Sequence, residues 1–178
     1  MSESIVAYRY AKSLIDLANE RKVTDEVNTD MGLFKQVCEE NHQFQVIMRS
    51  PLIRHEKKLV ILKNIFEKNV NPVTFLILNV LTKKHREALI YSIADEFQKL
   101  YDTQKGIQQV QVTSSAPLTD EQRKSFTKLV GDATKKQVVL NEKVNEKLIG
   151  GYVLKIGDTQ IDTSIRKKLN DLKLTFAN

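Results

Sequence analysis

The spacing of apolar residues changes near Gly106, and this change restricts the fold more than any other feature of the chain. Before Gly106, apolar residues recur every three or four positions, which is typical of amphipathic helices. After it, Val110 and Val112 alternate with polar neighbours, which is typical of a half-buried strand. The pattern therefore predicts two domains, residues 1–105 and residues 106–178.

The first domain is predicted to be a bundle of about six helices. Asn71 and Pro72 match a helix cap followed by proline at the first helical position. The helix after them, Val73 to Lys83, is apolar on nearly all sides, so we expect it to be central or covered by a partner. The other helices are predicted from apolar stripes, namely Ala7–Ala11–Leu14–Ile15–Ala18, Val27–Met31–Phe34–Cys38 after a Thr24 cap, Phe44–Ile47–Met48, Leu59–Leu62–Ile65–Phe66 and Leu89–Ile90–Ile93–Ala94–Phe97–Leu100–Tyr101.

The second domain is predicted to be a small α/β domain of order β-α-β-β-β-α, which makes the fold class mainly α with a smaller α+β part. Its first helix opens at Thr119 and Gln122, which have the spacing of a capping box. The buried face of that helix is expected to be Phe126, Leu129, Val130 and Ala133. Residues 106–178 carry 12 basic and 8 acidic side chains, a charge of +4, so this domain is the better candidate for an acidic partner.

The segment from Leu148 to Arg166 predicts a hairpin followed by a capped helix. Gly150-Gly151 within a strand pattern indicates a bulge or a close backbone approach. Gly157-Asp158 fits a two-residue hairpin loop, and Asp162 and Ser164 fit a helix cap. The final helix has Ile165, Leu169 and Leu172 as its apolar residues. Its first turn contains Arg166, and a solvated basic turn is favoured there over an acidic docking site.

The sequence does not predict an enzyme, a cofactor or a metal site. It has no glycine-rich phosphate loop, and Leu59 occupies the position where a zinc motif beginning at His55 needs a second histidine. Cys38 and His42 lie one helical turn apart, but two ligands do not make a structural zinc site. We interpret Cys38 as a small buried apolar residue. No apolar run approaches eighteen residues, and no signal or transit peptide is predicted.

The first helix carries a second stripe beside its core stripe. The stripe consists of Val6, Tyr10, Ser13 and Leu17. Two interpretations remain open at this stage: a wide buried face, or one wall of a groove for a partner helix.

Three stretches of the chain resemble the delta subunit family of F-type ATP synthases, whose mitochondrial relative is the oligomycin-sensitivity-conferring protein. The first is Tyr10 to Leu14 followed by Leu17-Ala18, and the second is Lys84-His85-Arg86 followed by Leu89 to Phe97. The third and strongest is Leu148 to Leu169, with the signature residues Gly150, Gly151, Gly157, Asp162, Ser164 and Arg166. Thr163 stands where family members often have glycine, so we expect the cap geometry to differ there. Length and element order look like the bacterial form.

The resemblance implies a non-catalytic stator protein that ties the catalytic head to the peripheral stalk, so that rotor torque is coupled to ATP synthesis and proton transport. The first and fifth helices would grip an N-terminal helix of an alpha subunit through Val6, Tyr10, Ser13, Leu17, Ile77, Val80 and Lys84. The C-terminal domain would hold b-type stalk subunits. The resemblance further implies one copy per complex, no membrane insertion and a place at the cytoplasmic face of the bacterial plasma membrane.

An alternative function, a basic nucleic-acid-binding adaptor, is suggested only by an isoelectric point near 9.3. The 28 basic residues are interleaved with 22 acidic ones, and no aromatic-basic motif accompanies them. The stator function is therefore favoured, and nucleic acid is not an expected partner.

Overall fold

A computed structural model describes residues 3–176, apart from the side chains of the last three of these. The helical part runs through α1 (Glu3–Glu20), α2 (Thr24–Glu40), α3 (His42–Arg49), α4 (His55–Phe66), α5 (Pro72–Lys83), a 3-10 turn (Glu87–Leu89) and α6 (Ile90–Lys105). The mixed part runs through β1 (Ile107–Ser114), α7 (Asp120–Thr134), β2 (Gln137–Val144), a 3-10 turn (Glu146–Leu148), β3 (Tyr152–Ile156), β4 (Thr159–Asp162) and α8 (Ile165–Phe176). The mainly helical fold with a small C-terminal α+β part is as the sequence predicts.

The chain divides into two compact units, residues 1–101 and residues 102–178. The division falls within α6, slightly before the change of hydrophobic period at Gly106. Each unit has its own hydrophobic core.

The helical domain buries the stripes that the sequence indicates. α1 buries Ala7, Ala11, Leu14, Ile15 and Ala18, and α2 buries Val27, Met31, Phe34 and Cys38. Two details differ from the sequence prediction. Thr24 is the first residue of α2 and not its cap, because its hydroxyl donates to Asn19 Oδ1 at 2.8 Å. Ile65 is exposed, because it lies beside the buried stripe of α4.

α5 lies centrally in the bundle and contacts α1, α2 and α4. The predicted cap is present, since the Asn71 side chain accepts a hydrogen bond from the amide of Val73 and Pro72 is the first helical residue. Asp30, a buried residue of α2, fixes this helix start. Its Oδ2 accepts hydrogen bonds from the Asn71 amide at 2.8 Å and from the Thr74 hydroxyl at 2.6 Å.

The second domain is a four-stranded sheet of order β2-β1-β3-β4 covered by α7. β1 and β2 are parallel and joined through α7, because parallel neighbours need a crossover, while the other pairs are antiparallel. The core is formed by Val110, Val112, Leu118, Val130 and Leu154. The capping box of α7 is present, but Leu129 and Ala133 are exposed, so the predicted buried face of α7 was too wide.

Candidate functional site

The second stripe of α1 forms an accessible rim along the helical core. Val6, Tyr10 and Leu17 are half-buried, and Ser13 is exposed. Tyr10 and Leu17 pack against the buried core. The stripe is therefore only partly buried, and its exposed parts leave surface for a contact with a partner.

A pocket of about 220 Å³ opens on this stripe, lined by Val6, Arg9, Tyr10, Ser13 and Arg86. The Ser13 hydroxyl donates to the Arg9 carbonyl oxygen at 2.9 Å. This side chain is small, and its hydrogen-bond donor is therefore already satisfied within α1. Arg86 Nη1 donates to the Tyr10 hydroxyl oxygen at 3.1 Å, and its Cζ lies 5.7 Å from the centroid of the Tyr10 ring. The pocket thus joins an apolar wall to two positively charged side chains.

The α5 residues expected to contact the partner helix lie outside this pocket. Ile77 and Val80 on α5 are half-buried, and Lys84 is the exposed C-cap of that helix. α5 contacts α1, but these three residues do not line the pocket at Tyr10. Arg86, from the turn that follows α5, lines it instead. The apolar pattern of the sequence does not indicate Arg86, although this residue stands in the Lys84-His85-Arg86 motif.

The end of α5 positions Arg86. His85 has φ of 56°, in the left-handed region. Its amide donates to the carbonyl oxygen of Thr82 at 3.1 Å, and the Arg86 amide donates to that of Leu81 at 2.8 Å. These two bonds form a Schellman motif, which ends the helix and turns the chain sharply. The turn brings the Arg86 side chain to α1.

A buried ion pair holds the chain just beyond Arg86. Lys58 Nζ donates to Glu87 Oε1 at 2.6 Å and to the Met48 carbonyl oxygen at 2.9 Å. The two charged side chains are 4% and 7% exposed, so the pair is almost completely desolvated. A buried charge is tolerated only when it is paired, so Glu87 is fixed against α4 and α3.

The glycine signature of the second domain joins the start of β3 to the start of α8. Gly151 has φ of 80°, and a Cβ atom added there would lie 2.6 Å from the Thr163 carbonyl oxygen. The amide of Thr163 donates to the Tyr152 carbonyl oxygen at 3.0 Å, and its hydroxyl donates to the same oxygen at 2.9 Å. Gly151 thus serves a close backbone approach. Thr163 is not in the left-handed region, so no glycine is required at this position.

The cap of α8 has the residues that the sequence predicts. Asp162 Oδ1 accepts from the Ser164 amide at 2.9 Å, and Ser164 Oγ accepts from the Lys167 amide at 3.2 Å. Hydrogen bonds from the Ser164 hydroxyl and amide, with the nearby charge of Lys167, hold the pKa of Asp162 below its ordinary value. The hairpin before it turns at Gly157, where φ is 57°. Arg166 is exposed.

α8 presents an apolar stripe to solvent. Ile165, Leu169 and Leu172 are 44%, 46% and 52% exposed and stand at i, i+4 and i+7, so they share one face. The same helix carries Arg166, Lys167, Lys168 and Lys173. An apolar stripe beside basic residues suits an amphipathic partner helix with acidic flanks.

Another apolar surface of this domain is a cavity of about 750 Å³ beside the start of α7, with Phe126, Leu129 and Tyr152 among its lining residues. The rings of Phe126 and Tyr152 meet edge to face, with centroids 4.8 Å apart. Within residues 3–176, no helix is long and apolar enough to span a bilayer, and no three His, Cys, Asp or Glu side chains come together as metal ligands would.

Comparison with known proteins gives one consistent family. The family model described as ATP synthase delta (OSCP) subunit matches residues 6–176. The ATP synthase subunit delta of Cytophaga hutchinsonii is 46% identical over 99% of this chain and 96% of its own length. That of Amoebophilus asiaticus is 36% identical over 97% of this chain and 94% of its own.

The fold also matches a solved structure. A chain in the cryo-EM structure of the Toxoplasma gondii mitochondrial ATP synthase hexamer superposes with a TM-score of 0.78 at 19% identity. The match covers 97% of each chain, so it extends over both domains.

Proposed function

This chain belongs to the ATP synthase delta (OSCP) subunit family, and from that premise we propose how its two domains divide the work of a stator. The protein is a non-catalytic stator subunit of the F-type ATP synthase, and no comparison supports the nucleic-acid-binding alternative. The helical domain binds the N-terminal helix of an alpha subunit. The C-terminal domain binds the end of the b-type stalk subunits.

The observation that carries the first assignment is the accessible rim of α1 beside α5. Half-buried Val6, Tyr10 and Leu17 expose apolar surface without exposing a full core face. Ser13 adds a small residue between them, which lets a second helix approach closely. An amphipathic helix laid on this rim would bury the exposed parts of these side chains, and such contacts concentrate their energy in a few anchor residues.

The second assignment is supported by α8 and by the charge of its domain. The stripe of Ile165, Leu169 and Leu172 is accessible, and residues 106–178 carry a net charge of +4. Positive charge around an apolar stripe speeds association with an acidic partner and suppresses basic ones. An acidic, amphipathic stalk end fits this surface.

Together the two contacts would make the protein a clamp between the head and the stalk. Without this clamp, the head would turn with the rotor, and the torque would not be coupled to ATP synthesis. One copy per complex suffices for this task, at the cytoplasmic face of a bacterial plasma membrane.

The experiment is a reciprocal pair of substitutions in the full chain. Ser13→Trp places a bulky ring on the rim of α1, where Ser13 is exposed, and should weaken binding of a peptide from the alpha-subunit N-terminus at least tenfold. Leu169→Glu places a charge in the α8 stripe and should weaken binding of a fragment from the C-terminal end of a b-type stalk protein by a similar factor. Isothermal titration calorimetry measures both affinities.

Each variant is the control for the other, because each should keep the partner that the other loses. Thermal unfolding followed by circular dichroism checks that both remain folded. If Ser13→Trp bound the alpha peptide normally, the proposed binding at the rim of α1 would be contradicted. If Leu169→Glu bound the stalk fragment normally, the proposed α8 contact would be contradicted.

A further inference from the structure

We propose that Arg86 is a specificity determinant of the rim on α1, and that it selects an incoming helix bearing a carboxylate at the edge of its apolar face. This inference rests on the proposed binding of an alpha-subunit helix and names a chemical requirement for that partner. It assigns a role to a residue that the apolar pattern of the sequence does not single out.

The charges at the pocket are unbalanced. Its lining contains two charged residues, Arg9 and Arg86, and both are cationic. Within the part of the chain that the structure describes, neither guanidinium has a carboxylate partner. Arg86 instead donates to the neutral hydroxyl of Tyr10 at 3.1 Å. A cation bonded to a neutral acceptor at the mouth of an apolar pocket leaves its charge uncompensated.

Binding of a helix changes the environment of this charge. A helix laid over Val6, Tyr10 and Ser13 covers the pocket that Arg86 borders and removes water from the guanidinium. A desolvated cation without a counter-ion opposes binding. A carboxylate on the incoming helix removes that penalty, and its fork of two oxygens matches the planar guanidinium.

The backbone on both sides of Arg86 is fixed in the free protein, and this holds the Arg86 side chain beside the pocket. The Schellman turn at His85 fixes its backbone, and the Lys58–Glu87 ion pair fixes the next residue. The Tyr10 hydroxyl then acts as a temporary acceptor in the free protein. Charge-assisted hydrogen bonds are roughly twice as strong as neutral ones, so a carboxylate on the partner displaces the hydroxyl.

The test measures the affinity of the full chain for a synthetic peptide of its own alpha-subunit N-terminus, and for peptides in which each Asp or Glu is changed singly to Asn or Gln. Arg86→Gln should weaken binding of the unmodified peptide about tenfold. One of the neutralised peptides should bind the parent protein about tenfold more weakly than the unmodified peptide does. That peptide should bind Arg86→Gln no more weakly than it binds the parent. Raising the salt concentration should lower the affinity of the parent for the unmodified peptide more than it lowers that of Arg86→Gln.

Two further variants separate recognition from a structural role. Tyr10→Phe removes the competing acceptor but keeps the ring, so it should tighten binding by about two- to threefold. Arg21→Gln removes an exposed arginine just beyond the end of α1, about 18 Å from Arg9 along the helix direction, and it should leave the affinity unchanged.

The outcomes distinguish this inference from the proposed function. If the parent does not bind the unmodified peptide at all, the binding of an alpha-subunit helix fails, and the role of Arg86 fails with it. If the parent binds the unmodified peptide but Arg86→Gln binds it equally well, only the role of Arg86 is overturned. The same holds if no peptide carboxylate depends on Arg86 for its contribution to the affinity. If Tyr10→Phe and Arg86→Gln lower the affinity equally, the role is also overturned, because the Tyr10–Arg86 hydrogen bond would then only stabilise the rim.

Discussion

At the scale of single residues, the two adjacent glycines of the signature have different tasks. The sequence predicts a bulge or a close backbone approach at this pair of glycines, and it does not distinguish the two positions. In the structure, a Cβ atom on Gly150 would meet only the side chain of Ile165, at 2.7 Å. A Cβ atom on Gly151 would meet backbone atoms of Thr163 and Ser164, at a residue whose φ is 80°. Backbone cannot move aside as a half-exposed isoleucine side chain can.

We therefore expect Gly151→Ala to lower the free energy of unfolding of the C-terminal domain by about 2–4 kcal/mol, through the backbone clash and the left-handed φ. Gly150→Ala should cost less than about 1 kcal/mol, because Ile165 is 44% exposed and can rotate away. Urea unfolding of the two full-length variants measures both values. Equal losses would contradict the distinction between the two glycines.

At the scale of elements, the helices and their caps were largely predictable, and the polar contacts that position them were not. The stripe of α1 and the caps at Asn71 and Thr119 depend on near neighbours in sequence, and the structure contains all three. Lys58 was missed because a lysine is normally assigned to the solvent. Its spacing to Leu62 and Phe66, four and eight residues, would have placed it on the buried face of α4.

Removing one partner of the Lys58–Glu87 pair should strongly destabilise the helical domain. Glu87→Ala leaves a cation in a site where the lysine side chain is 4% exposed, and we expect a loss of about 3–5 kcal/mol. The matched control is the double variant Lys58→Met with Glu87→Leu, which replaces both charges by apolar groups and should recover most of the loss. Chemical denaturation of the parent and both variants gives the comparison. If the double variant were as unstable as Glu87→Ala, packing would matter there more than charge.

At the scale of the whole molecule, the two domains have very different cores. Among the described residues, 20 buried apolar side chains form the core of the helical domain and 5 form that of the C-terminal domain. The sequence predicts the order of elements in both domains, because that order follows from local period. It does not predict the strand order β2-β1-β3-β4, because pairing of distant strands depends on contacts that no local pattern records.

This asymmetry predicts that residues 1–105 fold without the rest of the chain and still bind the alpha-subunit peptide. In the full chain, the C-terminal domain should unfold first on heating, since stability increases with buried apolar area. Circular dichroism of the fragment and calorimetry of the full chain measure the two effects. If residues 1–105 alone gave no helical signal, the independence of the helical domain would be contradicted.

Adding a fragment of the b-type stalk protein to the full chain should raise the temperature of the lower unfolding transition only, because binding stabilises the domain that it contacts.

The burial of Cys38 makes this protein convenient for optical measurements. It is the single cysteine of the chain, it is 3% exposed, and burial raises the pKa of its thiol to about 11. Maleimide reagents attack the thiolate, which at neutral pH is then only about one part in ten thousand of this residue. A cysteine introduced at an exposed position would therefore take up a fluorophore selectively while Cys38 stays in place. Pairs of such labels, one in each domain, would report strain in the stator as distance changes while the motor runs.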